Sequence, residues 1–160
     1  MKIIGLGTVA MDVLMEVDSL PVADSFGVIK KVSYLPGGSG TNVIVQAARL
    51  GAETAYIAKL GDDSIGRDIL ASLENEKVKT EGMRQKEKGT SLHTNIVIDQ
   101  QGQKFILLNF GDAFGSLQPE EVSTKLISES DLFFTDFYPK GAPLEALKFA
   151  HAQGKPTVFN

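Results

Sequence analysis

Gly37-Gly38-Ser39-Gly40-Thr41-Asn42 separates two periodicities, and its reading decides the fold. Before it, residues 26–35 alternate loosely between apolar and polar, the period of a strand. Pro36-Gly37-Gly38 is turn chemistry. After it, Val43, Ile44, Ala47, Ala48 and Leu50 follow helical spacing, and Gly51 is a natural C-terminal stop. The segment predicts a strand, a glycine turn and a helix. Such a turn suits a ligand. Glycines let the backbone come close because no Cβ intervenes, and a helix that starts near Thr41 points free N–H groups into the same space. Asn42, in the first turn, offers both a donor and an acceptor to a hydroxyl. The same residues equally fit a tight, capped connection with no ligand. No Gly-Lys-Ser or Gly-Lys-Thr follows, so this is not a Walker phosphate loop.

Outward from the turn, residues 1–6 read as a short buried strand. Residues 12–18 read as a half-exposed one, with Val13, Met15 and Val17 on one face and Asp12, Glu16 and Asp18 mostly on the other. Residues 54–60 form a strand, and Ser64 caps a helix carrying Ile65, Ile69, Leu70 and Leu73. The basic run 77–88, broken by Glu81 and Glu87, reads as a solvated loop. Residues 92–98 and 104–110 make a hairpin around Asp99-Gln100-Gln101-Gly102. Pro119 opens a helix with Val122, Leu126 and Ile127 inward, residues 132–135 are a buried strand, and Pro143 opens a helix to about Ala152 with Gly154 as its stop. Thr157-Val158-Phe159 begins another strand.

Strand–helix–strand segments imply an α/β fold with a Rossmann-like parallel sheet and flanking helices. The alternating pairs at 12–35 and 90–112 imply a separate small antiparallel β-sheet, inserted in two pieces. A strand that opens at Thr157 and stops at Asn160 leaves the parallel sheet with an unfinished edge. The expectation is an incomplete domain over residues 1–160: a fragment, a truncated gene, or a chain that needs a partner.

Composition removes several function classes. Hydrophobic residues at 42% and charged residues at 22% make an ordinary globular balance, which argues against disorder. No apolar run approaches the ~20 residues of a membrane span, and glycine at position 5 comes too early for a secretory signal. Without cysteine there is neither a disulfide nor a thiolate metal site, which fits a cytoplasmic protein. A net charge of -4 disfavours nucleic acid. His93 and His151 stand alone, without metal-ligand spacing. Gly5-Leu6-Gly7-Thr8-Val9-Ala10 matches the dinucleotide fingerprint, but that fingerprint needs a helix next and residues 12–18 have strand periodicity. Asp12 follows a strand of the parallel sheet, where open α/β sheets bind ligands. It can grip vicinal hydroxyls or simply be an exposed strand residue. Asp62 and Asp63 can cap the helix after them.

Together, residues 37–42, Ala47-Ala48-Arg49-Leu50-Gly51 and Lys59-Leu60-Gly61-Asp62-Asp63-Ser64-Ile65-Gly66 resemble the first signature of the ribokinase-like (PfkB) family of carbohydrate kinases. Residues 5–12 resemble that family's opening strand and substrate aspartate. Residues 74–78 followed by Gly89-Thr90 resemble the approach to its second lid segment. One position departs: Ile44 stands where the family has a small residue, which could narrow the pocket or alter helix packing.

The resemblance implies that Asp12, Gly37, Gly38 and Asn42 bind sugar hydroxyls. Asp136 lies where the family often has a further polar contact, with Phe137 competing for the position. It implies that segments 12–35 and 90–112 form a lid over the sugar and can pair two copies as a homodimer. It implies ATP and Mg for the complete family protein. The family's Gly-Ala-Gly-Asp segment, which supplies the catalytic base and an anion hole, has no match here. Phe110-Gly111-Asp112-Ala113 ends a strand rather than opening a helix. No catalytic residue is therefore expected in this chain, no ATP or Mg bound by it alone, and no phosphoryl transfer from it alone. Three functions compete: the substrate half of an ATP-dependent sugar or nucleoside kinase, a truncated non-catalytic sugar-binding or lid-paired module, and a dinucleotide-dependent enzyme. No positive residue adjoins the 37–42 turn, which leans against a phosphorylated sugar.

Overall fold

The computed structural model describes residues 1–160. β1 (Lys2–Leu6) runs through the middle of a five-stranded parallel sheet. On one side it pairs with β4 (Glu53–Ile57), and β4 with β6 (Val78–Lys79). On the other side it pairs with β10 (Leu132–Thr135), and β10 with β11 (Thr157–Phe159). Successive strand residues point to opposite faces, so a strand covered on both sides must be apolar throughout. β1 meets that demand. Ile4 and Leu6 join Ile57 and Phe133 under α3 (Thr124–Ser128) and α4 (Ala142–Ala152), against Leu126, Ile127 and Ala146. Ile3 joins Tyr56 and Phe134 under α1 (Ser39–Arg49) and α2 (Ser64–Asn75), against Ile44, Ile69 and Leu73. The result is three layers with a core on each face of the sheet, as the alternation of strands and helices implied.

A second sheet of four strands, ordered β3-β2-β8-β9, stands apart from it. β2 (Ala10–Val17) and β3 (Ile29–Gly37) form one antiparallel pair, and β8 (His93–Ile98) and β9 (Lys104–Asn109) the other. The expectation of an all-antiparallel sheet is corrected here: β2 and β8 pair parallel, so the sheet is mixed. Two hairpins can close on each other either way, and the long crossover between β3 and β8 permits the parallel choice.

Three local expectations also change. The basic run 77–88 is not all loop. Val78 is buried in β6, and β7 (Arg84–Lys86) pairs parallel with β5 (Lys59–Gly61). Residues 54–60 divide into β4 and β5 at Ala58, whose carbonyl accepts from Arg84 N–H at 2.9 Å. Pro119 opens only a 3₁₀ turn (Pro119–Glu121), and a short α3 follows after Ser123 caps it. Val122, Leu126 and Ile127 are buried nonetheless.

Candidate functional site

The parallel sheet changes direction of growth between β1 and β10, since β4 and β6 lie on one side and β10 and β11 on the other. Open α/β sheets bind ligands at the carboxyl ends of strands flanking such a switch. Here that edge carries Thr8 after β1 and Asp136 after β10. The 37–42 turn lies directly over it, because the Thr8 carbonyl accepts Thr41 N–H at 3.2 Å and the Thr41 hydroxyl at 2.9 Å.

The turn has the shape the glycines predicted. Gly38 caps α1 with φ 106°, a left-handed value, and a Cβ there would stand 2.5 Å from the Thr8 carbonyl oxygen. α1 opens at Ser39, two residues ahead of the sequence estimate, because Ser39 and Thr41 both find partners below the turn. Gly37 touches Asp12: a Cβ on it would lie 2.6 Å from Asp12 Oδ2. Asp12 is half-buried on β2, opposite Leu35 of β3 and Thr94 of β8. The Thr94 hydroxyl donates to Asp12 Oδ1. One carboxylate oxygen is thereby fixed by the neighbouring strand while the other lies along the glycine backbone.

Asp136 approaches from beneath and is buried, 4% exposed. Its Oδ1 accepts from Thr8 N–H at 3.1 Å and Tyr138 N–H at 3.2 Å. Its Oδ2 accepts from Thr8 N–H at 3.1 Å and from the Ser39 hydroxyl. Gly7 leaves it room, since a Cβ there would meet Oδ1 at 2.1 Å. The structure thus gathers Asp12, Gly37, Gly38 and Asp136 around one turn, with the two carboxylates on either side of it. Asn42 lies further along α1 and is exposed. It lines a cleft of about 370 Å³ between α1 and α2, whose far end holds the Arg49–Glu76 ion pair.

Three residues of this assembly escape a reading by motif: Thr8, Thr94 and Tyr56. Tyr56 is fully buried on β4 and donates to the Thr8 carbonyl at 3.0 Å. Burial pushes its phenol well above the usual tyrosine range, and the negative charge of Asp136 pushes it further, so it stays a donor. Ile44, the departure from the family pattern, packs inward under the sheet rather than into the turn. A Cβ on Gly5 would meet its side chain at 2.4 Å. The glycine on β1 makes room for the larger helix residue.

Other candidates belong to local structure. Asp63 caps α2 through Gly66 N–H at 2.8 Å and also accepts from Ser91 N–H and hydroxyl at 2.8 and 2.7 Å. Asp112 accepts from Thr90 N–H at 2.8 Å and pairs with Lys86 at 2.9 Å.

Known proteins share both sequence and fold with this chain. Mouse ribokinase is 32% identical over 126 residues, covering 78% of this chain and 39% of its own length. An ATP-dependent ribose-1-phosphate kinase of Halopiger xanaduensis is 33% identical over 132 residues, covering 81% of this chain and 44% of its own. The structure of Arabidopsis thaliana ribokinase complexed with ribose and ATP superposes with a TM-score of 0.87 at 21% identity, covering 98% of this chain and 52% of that one. The chain spans about half the length, or less, of these relatives. No helix is long and apolar enough to cross a membrane. The model of the pfkB family of carbohydrate kinases matches residues 2–158, and the chain belongs to that family.

Proposed function

We propose that this chain carries the sugar-holding half of a kinase that phosphorylates a sugar or nucleoside hydroxyl with ATP, and that these 160 residues alone do not catalyse the transfer. The observation that supports the reading most is the seating of Asp12 against Gly37 at the carboxyl edge of the sheet, pinned by Thr94. A carboxylate held in this way accepts hydrogen bonds from two vicinal hydroxyls. Gly37 and Gly38 let the ligand reach the backbone, Asn42 adds a donor and an acceptor from α1, and Asp136 supports the turn from below. ATP and Mg would be held by residues outside these 160. The family's Gly-Ala-Gly-Asp segment, with its base and its anion-binding helix end, has no match among residues 1–160. Phosphoryl transfer needs such groups to position the phosphates and neutralise their charge.

The four-stranded sheet, segments 12–35 and 90–112, is in this reading a lid that keeps water from the sugar. Both of its faces are apolar. Leu14, Ile96 and Leu108 share the face of Asp12, while Val13, Val97 and Leu107 take the other. The face away from the sugar suits a second copy of the lid in a homodimer. The same observation favours the second reading, a lid-paired module that binds sugar without catalysis. A cytoplasmic setting fits both.

The test is a titration of the purified chain with D-ribose, D-fructose and adenosine, followed through the amides of residues 37–42, beside a coupled ADP-release assay. One ligand should shift those amides saturably, Asp12→Ala should abolish the shift, and no turnover should appear. Binding by none of the three would sink the sugar-holding role, and turnover would sink the claim of inactivity.

A further inference from the structure

A helix N-terminus carries partial positive charge and unsatisfied N–H groups, so it attracts anions. At α1 the position beneath that end is already taken by the chain's own carboxylate. Asp136 lies under Ser39 and binds only donors, none of them a cation. It cannot easily leave. The Thr8 peptide is clamped between Asp136 on its N–H side and Tyr56 and Thr41 on its carbonyl side. The space is closed as well, since a Cβ on Gly40 would meet Tyr56 Oη at 2.1 Å and Asp136 Oδ2 at 3.1 Å.

A second carboxylate, Asp12, flanks the same turn at Gly37. The cations of the neighbouring segments are engaged elsewhere: Lys30 with Asp18, Lys31 with Glu16 and Arg49 with Glu76. Lys140, exposed in the connection from β10 to α4, bonds to neither carboxylate. A phosphate ester placed at the turn would therefore meet two negative groups, one of them directly beneath the helix end. A hydroxyl would meet acceptors.

We propose that Asp136 is a specificity-determining residue: its carboxylate, tied beneath the α1 N-terminus through the Ser39 hydroxyl, offsets the attraction of that end for an anion, so the turn selects an uncharged polyol over the phosphorylated form of the same sugar. Asp136 acts through the turn and the local field rather than by touching the ligand. The proposal rests on the reading of the turn as sugar-holding, and the experiment separates the two.

The whole chain and its Asp136→Asn variant, which keeps the shape and removes the charge, are titrated with D-ribose and D-ribose 5-phosphate and followed through the amides of residues 37–42. The wild type should prefer the neutral sugar by about tenfold or more, and the variant should narrow that preference by at least about threefold, as expected for removing a charge near a partly buried site. Equal weakening of both ligands by Asp136→Asn would mean a structural role only and would overturn the proposal. So would a wild type that binds the ester as tightly as the sugar. If the wild type binds neither, the sugar-holding reading fails, and inorganic phosphate decides the rest. It should leave the amides of residues 39–41 unmoved in the wild type and shift them in the variant; a shift in the wild type, or in neither protein, overturns the proposal. Should the variant fail to fold, the wild-type arms still decide it. A neutral preference with silence toward phosphate supports it, and a response to phosphate rejects it.

Discussion

β1 carries Ile3, Ile4 and Leu6, and β9 carries Phe105, Ile106, Leu107 and Leu108. The first three are at most 9% exposed, the other four between 39% and 60%. Strand-forming residues are abundant in both, so composition does not separate them. Coverage does. Helices close both faces of the parallel sheet, while in the four-stranded sheet the start of β2 packs on α2 through Met11 and β9 lies exposed along its length. Apolar burial is worth about 25 cal/mol per Å², so one sheet supplies most of the stability. The other holds together largely by strand pairing and waits for something to cover it.

The widest gap between the two should appear on truncation. Phe133→Ala empties a fully buried site and should cost about 3–5 kcal/mol in denaturant unfolding. Leu107→Ala should cost about 0.5 kcal/mol or less. A Leu107→Ala cost near that of Phe133→Ala would mean that the small sheet is covered in solution, and it should then fall on dilution of a dimer.

Glycines sharpen the contrast. Gly40→Ala drives a methyl group into Tyr56 Oη and should cost about 1–3 kcal/mol as overpacking, because the site is walled by a rigid ring. Gly102, at the tip of the β8–β9 hairpin, has φ 80° and open space around it. Gly102→Ala should cost only the left-handed backbone penalty, about 1–2 kcal/mol. Thermal melts of both variants decide whether the parallel-sheet side is the tighter one.

Legibility in the sequence follows the same division. The strands and helices of the three-layer part were readable because each carries its own period and its own stops, such as Gly51 after α1. The hairpins of the small sheet were readable too, but not the parallel pairing of β2 with β8, since the pattern of a strand does not say which edge it meets. β6 and β7 were hidden because two or three residues show no period. At the site, the glycine turn was visible through spacing, while a role for Asp12 came only with the family resemblance. Thr8, Tyr56 and Thr94 were not visible, because their partners lie 48 to 128 residues apart along the chain. Asp136 was named from the family resemblance and its place at a strand end, but its bonds to Thr8 N–H and the Ser39 hydroxyl, 128 and 97 residues away, are ones that only the fold brings about.

Thr94 tests the seam between the two regions. Its hydroxyl donates to Asp12 from the neighbouring strand. Thr94→Val keeps the volume and deletes that bond, which should cost about 0.5–1.5 kcal/mol. If Asp12 holds the ligand, sugar affinity should also drop a few-fold at a temperature where the variant remains folded. A loss of stability with affinity intact would make the bond a feature of the sheet alone.

The smallest effect concerns how the small sheet is anchored. Asp112 follows β9 and accepts from Thr90 N–H, from the Thr90 hydroxyl at 3.2 Å and from Lys86. The Thr90 N–H first, then the Lys86 ammonium, hold its carboxyl down at about 2. An unfolded aspartate titrates near 3.9, so the folded value is the lower one. The anchor's contribution is then fully present above about pH 4 and is lost as the pH falls toward 2. The Thr90 amide should titrate with a midpoint near 2, while amides of β1 stay still. The difference in melting temperature between the wild type and Asp112→Asn should be constant from pH 7 to 5 and close below pH 4. The group is exposed, so salt should shrink that difference. A difference unchanged by acid and by salt would mean that the small sheet is held by packing after all, and the contrast drawn from β1 and β9 would stop short of its base.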